Sequence, residues 1–463
     1  MPEFTLPNGE RINTTTTEFG TRLRDYFSDH GDPVIDAARG NPGGFSASAS
    51  GLTAGIEHLE DRQKTGAGYG YSSGNYPERP ALSTNLNTLF GTDNFFDKDG
   101  LFFSTGEIEA LNAVSKSLAG GDVITPYPHY VNYPIVFSGK DGKARLLPVK
   151  PQNDETLVAA LKKKLGHSHN VSAILICDPN NPTGTKLSAQ EWRELFKLVE
   201  TESARRPGFK LVIDFAYYGL SNDWMETNGT KKLAVEPLKI LEAEFPELKK
   251  NIVPLFSLTK VGGLFDERPC VSYTADKDFR DKLEQHRTEG TFEPVATSVA
   301  ICSGVVDELA NTDRLAKMSD YYGARARMIE KTLSELGVLT HQWQGGLYVT
   351  ADLSGLYGTA LSPKARQWVG HEKIESDFDI MASLAYPNDP DSSGVLASIV
   401  DPKDGGKTGL IRFSACLESM DDVRKLQHTL GALKPELNKS QHNKLWPAKD
   451  LLPLEHYDGH GRR

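Results

Sequence analysis

Short apolar runs alternate with longer amphipathic ones through the middle of the chain. Three of the apolar runs, 173–177, 211–214 and 252–256, end in or beside polar residues. They are predicted to be buried parallel strands, because strands covered on both faces are almost continuously apolar. The stretches 188–200 and 235–244 between them are predicted helices. This alternation predicts an α/β fold with a mainly parallel sheet, in which ligand-binding groups lie at the carboxyl ends of the strands.

Length and charge narrow the class of protein. A chain of 463 residues can bury a large core and is expected to form more than one domain. Its net charge of −10 comes from acidic and basic residues mixed along the chain. A nucleic-acid-binding protein would need a basic face for phosphates, so that class is not expected.

No secretory signal is expected from the N-terminal residues, which lack a basic segment followed by an apolar one, and no apolar run in the sequence approaches membrane-spanning length. The four cysteines have no metal-like spacing, and each lies in or beside an apolar segment. They are expected to be buried, reduced thiols, which are typical of a cytoplasmic protein. We therefore predict a cytoplasmic protein that does not use a membrane or a metal.

Composition also suggests where the chain divides. We predict an N-terminal arm with part of a small domain at 1–60, a large domain at 61–310, the rest of the small domain at 311–433, and a tail at 434–463. The segment 386–406 is rich in Pro, Asp, Ser and Gly and is predicted to be a long mobile loop.

Lys260 is the first candidate for a chemical role. It ends Ser257-Leu-Thr-Lys260, directly after a predicted buried strand. A lysine held there can be partly desolvated, which lowers its pKa and allows a Schiff base with a carbonyl. That chemistry indicates pyridoxal 5′-phosphate (PLP). Alone the tetrad is weak evidence, because Ser-x-x-Lys also occurs as a hydrolase motif and as a solvated surface run.

Asp214 and Asn181 follow two other predicted strands. A carboxylate at Asp214 could keep a pyridine nitrogen protonated, although a turn or helix N-cap aspartate is the simpler alternative. Asn181 lies in the rigid run Asp178-Pro-Asn-Asn-Pro-Thr-Gly184. Its amide could donate to a phenolate oxygen, together with Tyr217, or the run could be only a turn.

Ser104, Thr105 and Gly106 precede an amphipathic pattern and are predicted to open a helix. Free N–H groups and hydroxyls at a helix N-terminus bind anions, so a phosphate site is predicted there. The alternative is a capping box between Ser104 and Glu107. Glu107 would also place a negative charge beside a phosphate, which counts against the phosphate site.

Four further residues complete the candidate site. Ser257 and Arg268 bracket Lys260 and could extend the phosphate site, with the arginine offering two parallel donors. Tyr130 could stack on a cofactor ring or could be a core aromatic. Arg412 is a cation inside an apolar strand and needs a partner, which could be a substrate carboxylate or a structural salt bridge.

Together these residues resemble the fold-type I PLP enzymes of aminotransferase class I/II, the aspartate-aminotransferase-like superfamily. The matching positions, in chain order, are Gly40 and Pro42, the segment from Ser104 to Ala110, Tyr130, Asn181 to Gly184, Asp214, Tyr217, Lys260, Arg268 and Arg412. By this resemblance, Lys260, Asp214 and Tyr217 are catalytic, and Gly40, Asn181 and Arg412 bind the substrate.

The resemblance implies an architecture and an assembly as well. It implies a large domain with a mainly parallel, seven-stranded sheet and a smaller α/β domain built from both termini. It also implies a homodimer with shared active sites, in which a neighbouring tyrosine reaches the phosphate. Tyr69 and Tyr71 are both candidates for that tyrosine.

The implied activity is that of an aminotransferase, acting on an L-amino acid through a Lys260 Schiff base and a quinonoid intermediate. Two segments depart from the family pattern: Pro269-Cys270 after the arginine, and 386–406. Because both lie where substrates are selected, the alternative is a PLP-dependent lyase, or an enzyme of γ-elimination or γ-replacement, acting on S-adenosylmethionine or a similar amino acid. A non-enzymatic regulator with this fold is a third possibility, disfavoured by the complete lysine, aspartate and arginine set.

Overall fold

The computed structural model describes most of the chain. The described residues are 3–5, 11–13, 16–30, 34–41, 45–65, 76–152, 155–227, 230–289, 296–401 and 406–437. The strands are β1 (Glu3–Thr5), β2 (Arg11–Asn13), β3 (Val34–Asp36), β4 (Leu101–Thr105), β5 (Asp122–Pro126), β6 (Arg145–Val149), β7 (Val171–Cys177), β8 (Lys210–Asp214), β9 (Trp224–Thr227), β10 (Thr230–Leu233), β11 (Ile252–Ser257), β12 (Pro269–Tyr273), β13 (Tyr348–Asp352), β14 (Gly394–Leu396), β15 (Ser398–Ile399) and β16 (Leu410–Ser414).

The helices surround and connect these strands. They are α1 (Thr16–His30), α2 (Ala49–Thr65), α3 (Arg79–Phe90), α4 (Glu107–Ser117), α5 (Tyr133–Val136), α6 (Leu157–His167), α7 (Ala189–Arg205), α8 (Pro237–Glu244), α9 (Leu258–Val261), α10 (Lys277–Thr288), α11 (Ala296–Asn311), α12 (Arg314–Glu335), α13 (Pro363–Val369), α14 (Asp377–Ala385) and α15 (Met420–Gly431). None of the helices in the described ranges is long and apolar enough to cross a lipid bilayer.

A seven-stranded sheet forms the centre of the larger part of the molecule. Its strand order is β4-β12-β11-β8-β7-β5-β6. All neighbouring pairs are parallel except those made by β12, which runs antiparallel to β11 and to β4. The three strands predicted from sequence are β7, β8 and β11, and they lie side by side. The predicted α/β fold with a mainly parallel sheet is confirmed.

The two predicted helices are α7 and α8, and α7 shows why the sequence folds this way. Ser188 precedes α7 and forms a capping box with Glu191, so two free backbone N–H groups find acceptors. Trp192, Leu195 and Val199 follow at spacings of three and four residues and are buried. The helix therefore begins at a polar cap and packs one apolar face against the sheet.

A second hydrophobic core lies apart from the large sheet. It combines residues of α1 and β3 near the N-terminus with residues from α12 onward. A three-stranded antiparallel sheet, β13-β16-β15, and a parallel pair, β14 with β3, belong to this part. Segments near both ends of the chain thus share one core. The domain limits at 60, 310 and 433 stay a prediction.

The prediction of a long mobile loop at 386–406 was wrong for the part that the structure describes. This segment contains β14, which pairs with β3, and β15, which pairs with β16. Val395 and Ile399 are buried in the second core. A short apolar run inside a segment rich in Pro, Asp and Ser provides these strands, and the average composition concealed it. Residues 402–405 lie outside the described residues.

Candidate active site

Several of the candidate residues lie at one edge of the large sheet. Asp214 is the last residue of β8 and pairs with Leu255 of β11. Ser257, the last residue of β11, pairs with Cys270 of β12, which in turn pairs with Ser104 of β4. The carboxyl ends of parallel strands meet at the same edge, so three segments that are distant in sequence lie together here.

Lys260 lies in the single-turn helix α9, immediately after β11. Its Nζ atom donates a hydrogen bond to the carbonyl oxygen of Gly40, 2.6 Å away, and lies 5.2 Å from the ring centre of Phe265. The lysine is half-buried. The amine is therefore held against Gly40. Residues 42–44, which begin two positions after Gly40, lie outside the described residues.

Asp214 is buried, with 3% of its surface exposed. Its Oδ1 accepts a hydrogen bond of 3.0 Å from the backbone N–H of Ala216, and its Oδ2 accepts one from the Tyr133 hydroxyl. The first bond is the local turn that the simpler interpretation predicted. The second is not local. Burial raises the pKa of Tyr133 well above its usual value, and the neighbouring Asp214 adds to that shift, so this phenol stays a donor.

The predicted start of helix α4 and its capping box were both wrong. Ser104 and Thr105 belong to β4, and α4 begins at Glu107, with Gly106 as a cap that offers no side chain. The Ser104 hydroxyl donates to the Gly106 carbonyl oxygen at 3.0 Å. The N–H of Thr105 is taken by Glu109 Oε2 at 2.5 Å. The apolar strand Leu101–Thr105 extends to the serine, and this displaces the helix start by three residues.

Arg268 faces the beginning of α4. A Cβ atom added to Gly106 would lie 2.7 Å from Nη2 of Arg268, and Gly106 has φ 83°, so only glycine fits this position without strain. Arg268 itself has φ 52°, which is uncommon for a residue other than glycine. Such strain is found where a side chain is held for function. A guanidinium and a helix N-terminus thus face the same space, an arrangement that suits an anion.

Glu107 turns its carboxyl group toward Asp214. The two carboxyl groups are hydrogen-bonded, and burial, followed by the charge of Asp214, raises the pKa of Glu107 well above its usual value. Arg268 and Lys260 lie close enough to oppose that shift. The Oε1 atom of Glu107 is buried and has no hydrogen-bond partner among the described residues. A carboxyl group with a raised pKa carries its negative charge over a smaller pH range, and this reduces the expected conflict between Glu107 and an anion.

Asn181 and Tyr217 are in contact, 36 residues apart in sequence. The Asn181 Nδ2 atom donates to the Tyr217 hydroxyl at 3.2 Å. Tyr217 in turn donates to the hydroxyl of Tyr348 at 3.4 Å. Burial raises the pKa of Tyr217 well above its usual value, so it remains a neutral phenol able to donate.

Arg412 has neutral partners. Its Nη1 donates to Asn181 Oδ1 at 2.9 Å, and its Nη2 donates to the Ala38 carbonyl at 3.0 Å and to Ser398 Oγ at 3.1 Å. The guanidinium carbon lies 4.0 Å from the ring centre of Tyr348, and Nε is buried with no hydrogen-bond partner within the described ranges. Among the described residues, no carboxylate lies within salt-bridge distance. The structural salt bridge that we considered from sequence is therefore not formed within this part of the chain.

Tyr130 is half-buried at the border of the core. Its hydroxyl accepts from Asn132 Nδ2 at 2.8 Å, and its ring meets that of Tyr133 edge to face, with centres 5.6 Å apart. It packs against the core on one side. Its role in stacking on a ring stays a prediction. Tyr69 and Tyr71 lie outside the described residues.

Three residues at this site were missed by sequence reasoning. Tyr348 contacts Arg412 and Tyr217, and a Cβ atom added to Gly40 would lie 1.8 Å from its hydroxyl oxygen. The other two are Tyr133, beside Asp214, and Ser398, beside Arg412. Each of these contacts except that of Ser398 joins segments more than 60 residues apart. The only local signal was the position of Tyr133, three residues after Tyr130.

Comparisons with known proteins agree on family and fold. A family model described as aminotransferase class I and II matches residues 35–370. A putative aminotransferase, YugH, from Bacillus subtilis is 23% identical over 312 residues, which cover 66% of this chain and 74% of the relative. The bifunctional aspartate aminotransferase and glutamate/aspartate-prephenate aminotransferase of Petunia hybrida is 26% identical over 338 residues, 71% of this chain and 64% of the relative.

The fold is also that of a solved structure. The crystal structure of the aspartate aminotransferase from Rhizobium meliloti superposes with a TM-score of 0.69 and 17% identity, covering 92% of this chain and 97% of its own. The implied architecture, with its mainly parallel seven-stranded sheet, is confirmed by this likeness.

Proposed function

The chain belongs to the aminotransferase class I and II family, and on this premise we propose that it moves the amino group of an L-amino acid to a 2-oxo acid. The family depends on PLP, so the chain is a PLP-dependent transferase. When bound, PLP supplies a ring that accepts the electrons left behind when the substrate loses its Cα proton. The protein must hold that ring, bind the amino acid and move the proton.

The cofactor site that we propose uses the residues at the sheet edge. Lys260 forms the covalent link, Asp214 faces the ring nitrogen, and Asn181 with Tyr217 donate to the phenolate oxygen. The proposed phosphate ligands are Ser104, Thr105, Gly106, Ser257 and Arg268, together with Tyr69 or Tyr71, and Tyr130 is proposed to cover the ring face. The buried Asp214, the donor pair and the guanidinium of Arg268, which lies against Gly106 at the start of α4, all fit PLP.

The surroundings of Arg412 carry the proposal for the substrate. A half-buried guanidinium is stabilised by a counter-charge, yet the partners of Arg412 among the described residues are an amide, a hydroxyl and a carbonyl, and its buried Nε has none. The α-carboxylate of an amino acid is an anion with two oxygens and suits the paired donors of arginine. We therefore assign the α-carboxylate to Arg412, with Asn181 and Gly40 beside it.

Lys260 is proposed to move the proton. Its Nζ lies 2.6 Å from the Gly40 carbonyl oxygen, which orients the amine without competing as a charged partner. With PLP and an amino acid bound, the Nζ atom of Lys260 would accept the Cα proton and would donate it to a neighbouring carbon. Delivery of the proton to that neighbouring carbon leads to amino-group transfer, whereas its return to Cα would only regenerate the amino acid.

Transfer is favoured over the lyase alternative by the comparisons. The relatives described above carry the names of aminotransferases, and the family model that matches is an aminotransferase family. Pro269 and Cys270 belong to β12 of the large sheet, and the described part of 386–406 contains β14 and β15, which pair with β3 and β16. They therefore give no separate support for chemistry on S-adenosylmethionine.

The test is a panel of L-amino acids, with S-adenosylmethionine included. Each is mixed with the PLP-loaded protein without any 2-oxo acid, and products are identified by mass. We expect one equivalent of the matching 2-oxo acid per chain, and continuous turnover once a second 2-oxo acid is added. Lys260→Ala should release none, whereas Lys277→Ala, a change to an exposed lysine on α10, should behave as the parent. Release of methylthioadenosine instead would favour the lyase alternative.

We also propose that the chain acts as a homodimer in the cytoplasm. Leu52, Ile56 and Leu59 lie on one face of α2 and are 40%, 58% and 50% exposed. Large apolar side chains exposed together indicate a protein-binding surface, and α2 leads directly to the segment with Tyr69 and Tyr71. The four cysteines, Cys177, Cys270, Cys302 and Cys416, are buried and unpaired, as expected of thiols in a reducing compartment.

A further inference from the structure

Glu107 is an acid in a place prepared for an anion. It is the first residue of α4, where the helix N-terminus and Arg268 face the same space. This space is the proposed phosphate site. A carboxylate there would be favoured by the helix dipole but would repel a phosphate. The protonation state of Glu107 should therefore affect how tightly the cofactor binds.

The groups around Glu107 come from seven elements or connections. The titratable and charged groups that interact with it are Asp214 at the end of β8, Arg268 before β12, Lys260 on α9, Cys177 on β7, Cys270 on β12, Tyr133 on α5 and Tyr130 just before α5. Two of them are cations and one is a carboxylate. The carboxylate is in direct contact with Glu107, so the pair needs a proton between them.

The hydrogen bonds of the pair indicate which acid keeps the proton. Asp214 accepts bonds from the Ala216 N–H at Oδ1 and from the Tyr133 hydroxyl at Oδ2, so each of its oxygens already has a donor. Glu107 has a buried Oε1 with no donor in the part of the chain that the structure describes, so no hydrogen bond from that part compensates a charge on this atom. Glu107 is thus the acid and Asp214 the acceptor. The direction of the pKa shift of Glu107, upward through burial and the nearby Asp214, agrees.

We propose that Glu107 is a neutral acid that donates to Asp214 and that PLP binds through its phosphate only while Glu107 keeps this proton. Ionisation of Glu107 places a second anion at the phosphate site, so phosphate binding and loss of the proton oppose each other. Cofactor affinity in this chain therefore falls as Glu107 ionises. The inference rests on the proposed cofactor site but not on amino-group transfer.

The test is a titration of the cofactor-free protein with PLP, followed by absorbance, from about pH 6 to about pH 9. Protonation of the PLP phosphate and of the lysine affects PLP binding in every variant. The pH dependence of the dissociation constant is therefore compared between variants. Glu107→Gln keeps a donor for Asp214 and has no proton to lose. Its dissociation constant should rise less steeply with pH than that of the parent, by up to about tenfold per pH unit, which corresponds to one proton.

Glu109→Gln is the matched control. Glu109 lies in the same turn of α4, but its carboxylate accepts from the Thr105 N–H. Removing its charge should leave the pH dependence as in the parent. Inorganic phosphate, measured as a competitor of PLP, should show the same difference between the parent and Glu107→Gln. Equal pH slopes for the parent and Glu107→Gln would overturn the proposal.

Two further measurements keep the outcomes separate. Circular dichroism establishes that each variant is folded, and Glu107→Ala replaces Glu107→Gln if the glutamine variant is not. A parent protein that binds no PLP would contradict the proposed function. A parent that binds PLP, with slopes that do not respond to Glu107, would contradict this inference alone.

Discussion

The Nη1 atom of Arg412 lies 2.9 Å from the Oδ1 atom of Asn181, although 231 residues separate them in sequence. The same amide donates from Nδ2 to the Tyr217 hydroxyl. Arginine can only donate, so the amide oxygen must face Arg412 and its nitrogen must face Tyr217. One side chain therefore connects the proposed carboxylate site with the proposed phenolate site and fixes their separation.

Arg412→Lys should weaken substrate binding more than it slows the reaction. Lysine keeps the charge but offers a single ammonium instead of two parallel donors. Loss of one charged hydrogen bond costs about 1.5–3 kcal/mol, which is about a ten- to hundredfold rise in KM. Steady-state kinetics with the amino acid found in the panel measures this. Arg366→Lys, whose Nε donates to a backbone carbonyl outside the site, should leave KM unchanged. A fall in kcat with unchanged KM would contradict the carboxylate role.

Tyr133→Phe should reduce kcat while the protein stays folded. The hydroxyl of Tyr133 donates to Oδ2 of Asp214, and its loss leaves a buried acceptor short of a partner, at a cost of about 1–3 kcal/mol. With Asp214 less well held, we expect kcat to fall about tenfold. The matched control is Tyr273→Phe, which removes a similar bond of 2.5 Å to Asp97 away from the site. Both variants should lose stability to urea, and only Tyr133→Phe should lose turnover. Equal kinetics would show that Tyr133 has only a structural role.

The sequence predicted those features that depend on local patterns. The strands β7, β8 and β11 are buried on both faces, and their apolar runs were long enough to identify. Because parallel strands share a carboxyl edge, the positions of Asp214 and Lys260 near each other followed from the strand assignment. The helix α7 was marked by its own cap and spacing.

The features that the sequence could not predict depend on contacts between distant segments. Tyr348 reaches Tyr217 across 131 residues, and Tyr133 reaches Asp214 across 81. Neither tyrosine has a local pattern that separates it from a core aromatic. The strands β14 and β15 were missed because strands of two or three residues exist only through pairing with β3 and β16. Ser398, in β15, was missed for the same reason.

Glu236 should make the protein less stable as pH rises. Burial raises the pKa of Glu236 to about 8, against an ordinary 4.5, while the hydrogen bond from Tyr218 at 2.5 Å opposes the shift. Between these two values the unfolded chain is ionised and the folded chain is not. Stability is therefore complete below about 4.5 and is lost as pH rises to about 8, by up to about 1.4 kcal/mol per unit.

Urea unfolding of Glu236→Gln at several pH values measures this loss. Glutamine cannot ionise but still accepts from Tyr218, so the variant should gain on the parent as pH rises and keep a constant advantage above about 8. Glu247→Gln, at an exposed carboxylate, should follow the parent at every pH. An advantage that does not depend on pH would mean that packing, and not ionisation, distinguishes the two side chains.

Mixed dimers of two different variant chains should recover activity that neither variant has alone. If a tyrosine from one subunit reaches the site of the other, a Lys260→Ala chain can supply that tyrosine to the site of its partner. The partner, a Tyr69→Phe or Tyr71→Phe chain, provides the intact Lys260. In a mixed dimer one site is then complete, so co-expressed chains should regain about half of the parent activity per mixed dimer. The tyrosine whose variant is complemented is the one that crosses the dimer interface.

Ile56→Glu, which places a charge on the exposed apolar face of α2, should prevent dimer formation, measured by light scattering. The same variant should also prevent complementation. Failure of both tyrosine variants to be complemented, with dimers present, would show that each site is complete within its own subunit.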